Sequence, residues 1–419
     1  MIHKHIARHT KKYVKHFTKY LYERDTIFAT IAVFIFLVLL GMIPINFYVL
    51  NPMKLALKDF DFNDITYAKL EKGKDNPVDS RMVIVNIGHL DRAGIGFLID
   101  KINSYHPKVI GLDTWFENEK DPEKDSILRE AFLRTKNLVA VSVIVPEKHD
   151  FSVQKNYFDD VITKRGYANL IGEEVGTIRN YSPFEMVNGE KYPQITTAII
   201  REFDSVAYQK LVKRGKEVET INYTRRVNQY QIIDHEDLMM DNVEGSLLKD
   251  KIVLMGYINP DQNDIEDKKF TPMNARFAGK SLPDMNGIVV QANIISMVLD
   301  GNYIKKTPKF VAWLLAIIIG WAHMSLFIRF YLEDHIWFHL VAKLAQVFSA
   351  IFFAYLGMEI FDKFGVKLDM KYTLYVIVLA VDVIYFYEAF VTWMHKKFKY
   401  QTIFGHHHHP VEPDARTSH

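Results

Sequence analysis

Cysteine is absent from all 419 positions. That excludes disulfides, thiol catalysis and cysteine-ligated zinc, and such a chain also folds without mispairing in an oxidising compartment. Net charge is almost absent: 52 Lys and Arg against 50 Asp and Glu leave +2, so no global field points to nucleic acid. No G-x-S-x-G elbow, P-loop, H-E-x-x-H or dinucleotide fingerprint occurs. His235, in "IIDHEDL", has carboxylates beside it but no nucleophile near in sequence, and reads as a surface histidine. A non-enzymatic chain is expected, with no cofactor and no resident metal.

What is present is unevenly spread. A mean hydropathy of −0.05 conceals four long apolar runs, each long enough to cross ~30 Å of hydrocarbon. They occupy 27–50, 310–328, 336–357 and 373–394, with Phe310, Trp313, Trp337, Phe338, Tyr372, Tyr375 and Trp393 near their ends, as interfacial aromatics should be. The first run is too long for a signal-peptide core and no A-x-A-like site follows it, so it reads as a retained span. Lys4, Arg8, Lys11, Lys12, Lys15, Lys19 and Arg24 precede it, and Lys396, Lys397 and Lys399 follow the fourth. By the positive-inside rule both termini are cytoplasmic: a basic segment 1–26 lying on anionic lipid, and a tail 395–419 carrying "GHHHHP", a tract that binds nickel or zinc only adventitiously. Residues 51–308 are left outside.

That segment alternates strand and helix. "RMVIVNIG" and "KVIGLDTWF" read as strands flanking the helix "AGIGFLIDKINSYHP". "DSILREAFLRT" is helical, while "NLVAVSVIV" and "KIVLMGYI" are further strands. The fold class is α/β with a largely parallel sheet, plus four transmembrane helices, one before and three after. Its last helix repeats Ile288, Ala292, Ile295 and Leu299 on one stripe and Asn293, Ser296 and Asp300 on another, with Gly301 as C-cap. A few residues later the second span begins.

The ordered blocks "MVIVNIGHLDR", "PKVIGLDTWF", "GYANLIGEEVGTIRNYSPF", "INYTR", "LLKDKIVLMGY", "FTPMN" and "LPDMNGIVVQANIISMVLDGNYI" resemble the CHASE2 family over residues 80–305. The resemblance implies an extracytoplasmic sensory domain of a bacterial inner-membrane receptor, periplasmic or extracytoplasmic, with one span before it and three after. It also implies a cyclase or kinase output after the last span, where only about 25 residues remain, too few for a catalytic core. A receptor subunit that relays to a separate output protein is therefore expected. The alternative is an assembly subunit of an envelope complex. A transport component using intramembrane charges is the third reading. The partners expected are an output protein or an envelope complex and a second copy of the chain, not nucleic acid.

Ligand-site candidates follow from position. Asp113 stands where a strand of a parallel sheet ends, and ligands of open α/β sheets bind beyond carboxyl ends. The resemblance places an acid there and an arginine at Arg179, whose fork suits a carboxylate or phosphate. Capping for Asp113 and an internal ion pair for Arg179 are the structural readings. Asp261, Asp264, Glu266 and Asp267 crowd one loop without the EF-hand rhythm, and Thr271 lies in "FTPMN". Asp264, Asp267 and Thr271 join the candidate set. In the spans, Lys343, Asp382 and Glu388 are ionisable groups in hydrocarbon. Lys343 enters ~10 Å and Glu388 ~9 Å from the same side, so these two are expected to pair, leaving Asp382 to His323, His339 or a second chain.

Overall fold

Four runs of aliphatic residues, β1 (Met82–Asn86), β2 (Val109–Leu112), β3 (Leu138–Ser142) and β6 (Ile252–Gly256), are buried almost throughout. Strands covered on both faces need such continuous apolar runs. With β4 (Arg165–Tyr167) and β5 (Gln231–Asp234) they form a six-stranded sheet in the order β5-β1-β6-β2-β3-β4. Every pairing in it is parallel. The computed structural model describes residues 20–42, 61–69, 72, 74–147, 151–171, 176–259, 265–274, 282–332 and 338–406. The basic segment 1–19, Asp261, Asp264, Trp337 and the histidines at 407–409 lie outside them.

The chain divides into two units, one of them residues 50–305. In that unit, helices cover both faces of the sheet. Helices α3 (Arg92–Ser104), α4 (Pro122–Arg134) and α7 (His235–Met239) pack Ile95, Leu98, Ile99, Leu128, Phe132 and Leu238 against Val83, Val85, Ile110 and Val253. On the other face lie α5 (Ile195–Phe203) and α8 (Gly287–Asp300). Their close approach needs glycine in the sheet: a Cβ on Gly111 would meet Ile199 at 2.5 Å, and one on Gly256 would meet Ile288 at 3.0 Å. Helix α6 (Ser205–Arg214) follows α5, and the short α2 (Phe62–Ala68) precedes the sheet.

Helix α8 is buried from Gly287 to Val298, so Asn293 and Ser296 of its polar stripe have no route to water, and only Asp300 at its end is exposed. Each member is paired instead. Asn293 accepts from the amides of Thr224 (3.2 Å) and Arg225 (3.1 Å), and its own amide donates to the Arg225 carbonyl at 3.0 Å. Ser296 donates to Asp79 at 2.8 Å. Asp79, 3% exposed, also receives the Arg81 fork at 2.8 and 2.6 Å. Asp300 closes the network on Arg81 at 2.8 Å and Arg225 at 3.3 Å. Gly301, at φ +63°, ends the helix in the left-handed C-cap that only glycine adopts freely.

In the membrane unit, α1 (Arg24–Met42), α9 (Lys309–Leu332), α10 (Phe338–Phe364) and α11 (Lys371–Phe398) are long and apolar enough to span a bilayer. Helix α11 is central, touching the other three. On α9, Ala312, Ala316 and Gly320 form a buried small-residue stripe. A Cβ on Gly320 would lie 2.4 Å from Val376, the close backbone approach that small residues permit between membrane helices. Trp313 stacks on Tyr372 with centroids 4.4 Å apart. Asp25 at the head of α1, 3% exposed, accepts from Tyr387 (2.8 Å), Thr402 (3.0 Å) and the Ile403 amide (2.8 Å). That holds the segment after α11 against the bundle, with Phe404 buried beneath it.

Gly166 in β4 lies against the start of α5, where an added Cβ would fall 2.5 Å from the Ile195 Cα and 2.7 Å from its amide nitrogen. Backbone cannot give as a side chain can. Gly166→Ala is therefore expected to destabilise the domain by roughly 1–3 kcal/mol, read as a lowered Tm. An unchanged Tm would show that β4 and α5 are not packed this tightly.

Candidate functional site

Because the sheet is parallel, the carboxyl ends of its strands share one edge. Asn86 ends β1 there, and its side-chain oxygen accepts from the amides of Gly88 (3.2 Å) and Ile258 (2.9 Å), tying the loops after β1 and β6 together. Its Nδ2 donates to Asp234 at the end of β5 at 2.8 Å. The ring of His235, expected at the surface, is half-buried: it packs on Gly88, whose φ of +51° and missing Cβ make room for it.

Asp113 follows β2 on the same edge. Its amide donates to the Met255 carbonyl at 2.9 Å, and its carboxylate accepts from Gln291 Nε2 at 3.0 Å. Gln291 is 3% exposed and sits in the second turn of α8, with its Oε1 buried and unpartnered. The Asn286 Nδ2 just before α8, and the Thr114 hydroxyl beside Asp113, are also buried without partners. Buried polar atoms left unsatisfied cost free energy and call for an explanation, a bound molecule among them.

Asp267 and Thr271 reach the same end of α8. Asp267, in the left-handed region at φ +52°, accepts the Gly287 amide on its main-chain oxygen (3.1 Å) and on its carboxylate (3.3 Å). Thr271 donates its amide (2.8 Å) and hydroxyl (2.5 Å) to Asp284, one turn ahead of the helix. Three sequence-nominated residues, Asp113, Asp267 and Thr271, thus converge on the start of α8, and Asp264 lies outside the described residues. Arg179 does not join them. Its Nε donates to Asp64 of α2 at 3.0 Å and its Nη2 grips the other oxygen, so the fork is taken by an internal carboxylate, the ion-pair reading of this residue, and not left for a ligand. Asp284 and Gln291 were missed, although both stand in "LPDMNGIVVQ", with a carboxylate and an amide flanking the helix start.

The charges here have physical consequences. Burial raises the Asp284 carboxyl to about 6, against the opposing bonds from Thr271. Burial would also raise Asp79, but the bonds from Arg81 and Ser296 more than offset it and hold that carboxyl below its ordinary value. Among the described residues no group of three or more His, Asp or Glu side chains forms a metal site.

In the membrane unit the expected Lys343–Glu388 pair is not formed. Lys343 Nζ instead bonds Asp382 at 3.0 and 3.3 Å, and Glu388 accepts from the Tyr331 hydroxyl. Gln346 donates to the carbonyls of Ile377 (3.0 Å) and Val378 (2.8 Å), while Tyr385 meets His339 at 2.8 Å. These contacts set α10 and α11 antiparallel with Lys343 level with Asp382. The expectation placed both helix ends at one membrane face, whereas α11 runs on well past the level where α10 begins.

With this geometry in view, the comparison with known families is decisive: residues 59–327 match the CHASE2 domain, well over half of the chain. The chain belongs to the CHASE2 family. The match begins before α2 and runs through α8 into most of α9, wider than residues 80–305. CHASE2 domains are sensory, extracytoplasmic and not catalytic, and the four apolar helices fit a membrane protein. No curated protein and no solved structure matches the chain.

Asp79 and Asp284, shifted in opposite directions, predict opposite pH responses. Asp79, depressed, contributes stability above its ordinary range that is lost on acidification. Asp284, raised, contributes stability below pH 3.8 that is lost as pH rises through about 6. Thermal unfolding of Asp284→Asn should therefore decline less than the parent between about pH 4 and 6. Identical profiles for the two proteins would remove Asp284 as a source of the decline.

Proposed function

We propose that this CHASE2 protein is a non-enzymatic receptor subunit of the bacterial inner membrane, with its α/β domain outside and both termini in the cytoplasm. Its domain binds a small ligand at the carboxyl edge of the sheet, and α8 conveys the event to the spans and to a separate output protein. The observation that supports it best is the Asp113–Gln291 bond. It puts the loop after β2 in direct contact with the helix whose chain continues, through only residues 302–308, into α9. A ligand that competes for Gln291, or satisfies its idle Oε1, binds one setting of α8 better than another, and differential affinity is what a switch requires. The surrounding acceptors, the Asp113 carboxylate and the Gln291 oxygen, suit a ligand rich in N–H or ammonium donors.

The far half of α8 is suited to transmit. Asn293, Ser296 and Asp300 fix it to Asp79, Arg81 and Arg225, so it moves as a body rather than fraying. Transport is less well supported, because Lys343 is neutralised by Asp382 and Glu388 is held by Tyr331.

Full-length protein in detergent, screened by thermal shift against polyamines, amino acids and amide-bearing solutes, should give a stabilising hit. Asp113→Ala and Gln291→Ala should each abolish that hit without lowering the basal Tm by more than ~2 kcal/mol equivalent. A hit that survives both substitutions would move the site elsewhere, and a uniformly flat screen would count against sensing. A Gly-Ser-Gly-Ser insertion after Gly301 should preserve the hit yet remove its effect on any co-purifying partner. An unaltered effect would sink the relay through α8.

A further inference from the structure

Lys343 and Asp382 are satisfied by each other, yet their side chains are 55% and 48% exposed on the outside of the helix bundle. Asp382 lies eleven residues into α11, ~16 Å from its start, and Lys343 five residues, ~8 Å, into α10, so this surface lies within the spans. Ionised side chains at such depth face a bundle interior or a polar cavity, because bare contact with lipid tails is costly. One turn away, His339 and Tyr385 form a second polar pair on the same surface. Around them α10 presents Leu340, Val347 and Phe348, and α11 presents Val378, all well exposed, while Phe386 stacks on Phe36 of α1 at the edge.

We propose that this face of α10 and α11 is a homodimer interface within the membrane, built on crossed Lys343–Asp382 ion pairs. Two copies inserted with the same orientation can be related only by a two-fold axis along the membrane normal, and such an axis preserves depth. Lys343 and Asp382 are already level, since they bond at 3.0 Å. The operation therefore brings Lys343 of each copy level with Asp382 of the other, and His339 level with Tyr385. The patch is electrically neutral and self-complementary, so a second copy fits it without any added charge. An unrelated partner would need its own cation and anion at that depth. The inference does not depend on the ligand site or on what the domain senses.

The cysteine-free chain makes the test clean. Val347→Cys and Val378→Cys, each in the full-length protein in native membranes, should yield a disulfide or bis-maleimide dimer, whereas Ile35→Cys on exposed α1 should not. Lys343→Asp and Asp382→Lys, each placed in the Val347→Cys background, should reduce the cross-linked fraction about tenfold. Co-expressing these two chains should restore it, because every broken pair is then remade between chains while both remain broken within each chain. Carrying both changes in one chain keeps the pair intact and controls for insertion. The proposal is overturned if the parent cysteines give no dimer, if they cross-link to a different protein, or if Ile35→Cys cross-links equally. Dimer unaffected by the single charge reversals, or not restored by co-expression, would overturn the crossed pairing.

Discussion

Burying α8 on all sides creates a demand that organises the whole domain. From Gly287 to Val298 no side chain of that helix reaches solvent freely, yet Gln291, Asn293 and Ser296 are polar. A buried polar group without a partner costs on the order of 1–3 kcal/mol, so distant parts of the chain must come to meet them. Residues 224–225 supply amides to Asn293, and Asp79 supplies a carboxylate to Ser296. Asp79 in turn needs cations, and Arg81 and Arg225 provide them while Asp300 shares the load. A network of this kind is worth little as a source of stability compared with apolar packing of equal volume. It fixes one register of α8 against the sheet, so any second register must be reached as a unit.

The two ends of α8 differ in kind. Its C-terminal half is saturated with bonds, while its N-terminal end keeps idle polar atoms on Gln291 and Asn286 beside carboxylates at Asp113, Asp267 and Asp284. Rigid coupling at one end and unmet bonding capacity at the other suit the relay proposed above. Asp284, raised to about 6 by burial, adds a charge at that end that varies with pH.

Much of this was legible in the sequence, and what was not has a common cause. The aliphatic runs at 82–86 and 252–256 announce buried strands, the Ile288–Leu299 spacing announces a helix, and Gly301 announces its end, because each rests on local periodicity. Asp113 could be nominated from its place after a strand. Insertion of β6 between β1 and β2 could not be foreseen, since a strand some 140 residues later in the chain fills the gap. The Arg179–Asp64 pair spans 115 residues and leaves no local trace. The Lys343–Glu388 expectation failed for a subtler reason: it counted depth from span ends estimated by hydropathy, and α11 extends to Phe398. A six-residue error in register is ~9 Å, enough to replace one carboxylate by another. The Ala312–Ala316–Gly320 stripe was readable all along, as a four-residue repeat of small residues.

The membrane unit obeys the same rule as α8 with the solvent reversed. Where hydrocarbon replaces water, the ionisable and amide groups inside the bundle are again spoken for: Asp25 by Tyr387, Thr402 and Ile403, Glu388 by Tyr331, Gln346 by two carbonyls of α11. Lys343 and Asp382 share the pairing but not the shelter. In water a half-exposed ion pair is unremarkable, because solvent screens it at little cost. Among lipid tails the same exposure is an unfinished surface, and the protein can finish it only by bringing polar groups to that depth. Since α11 carries Asp382 on this face while its other sides contact α1 and α9, whatever covers the pair also bears on the central helix of the bundle.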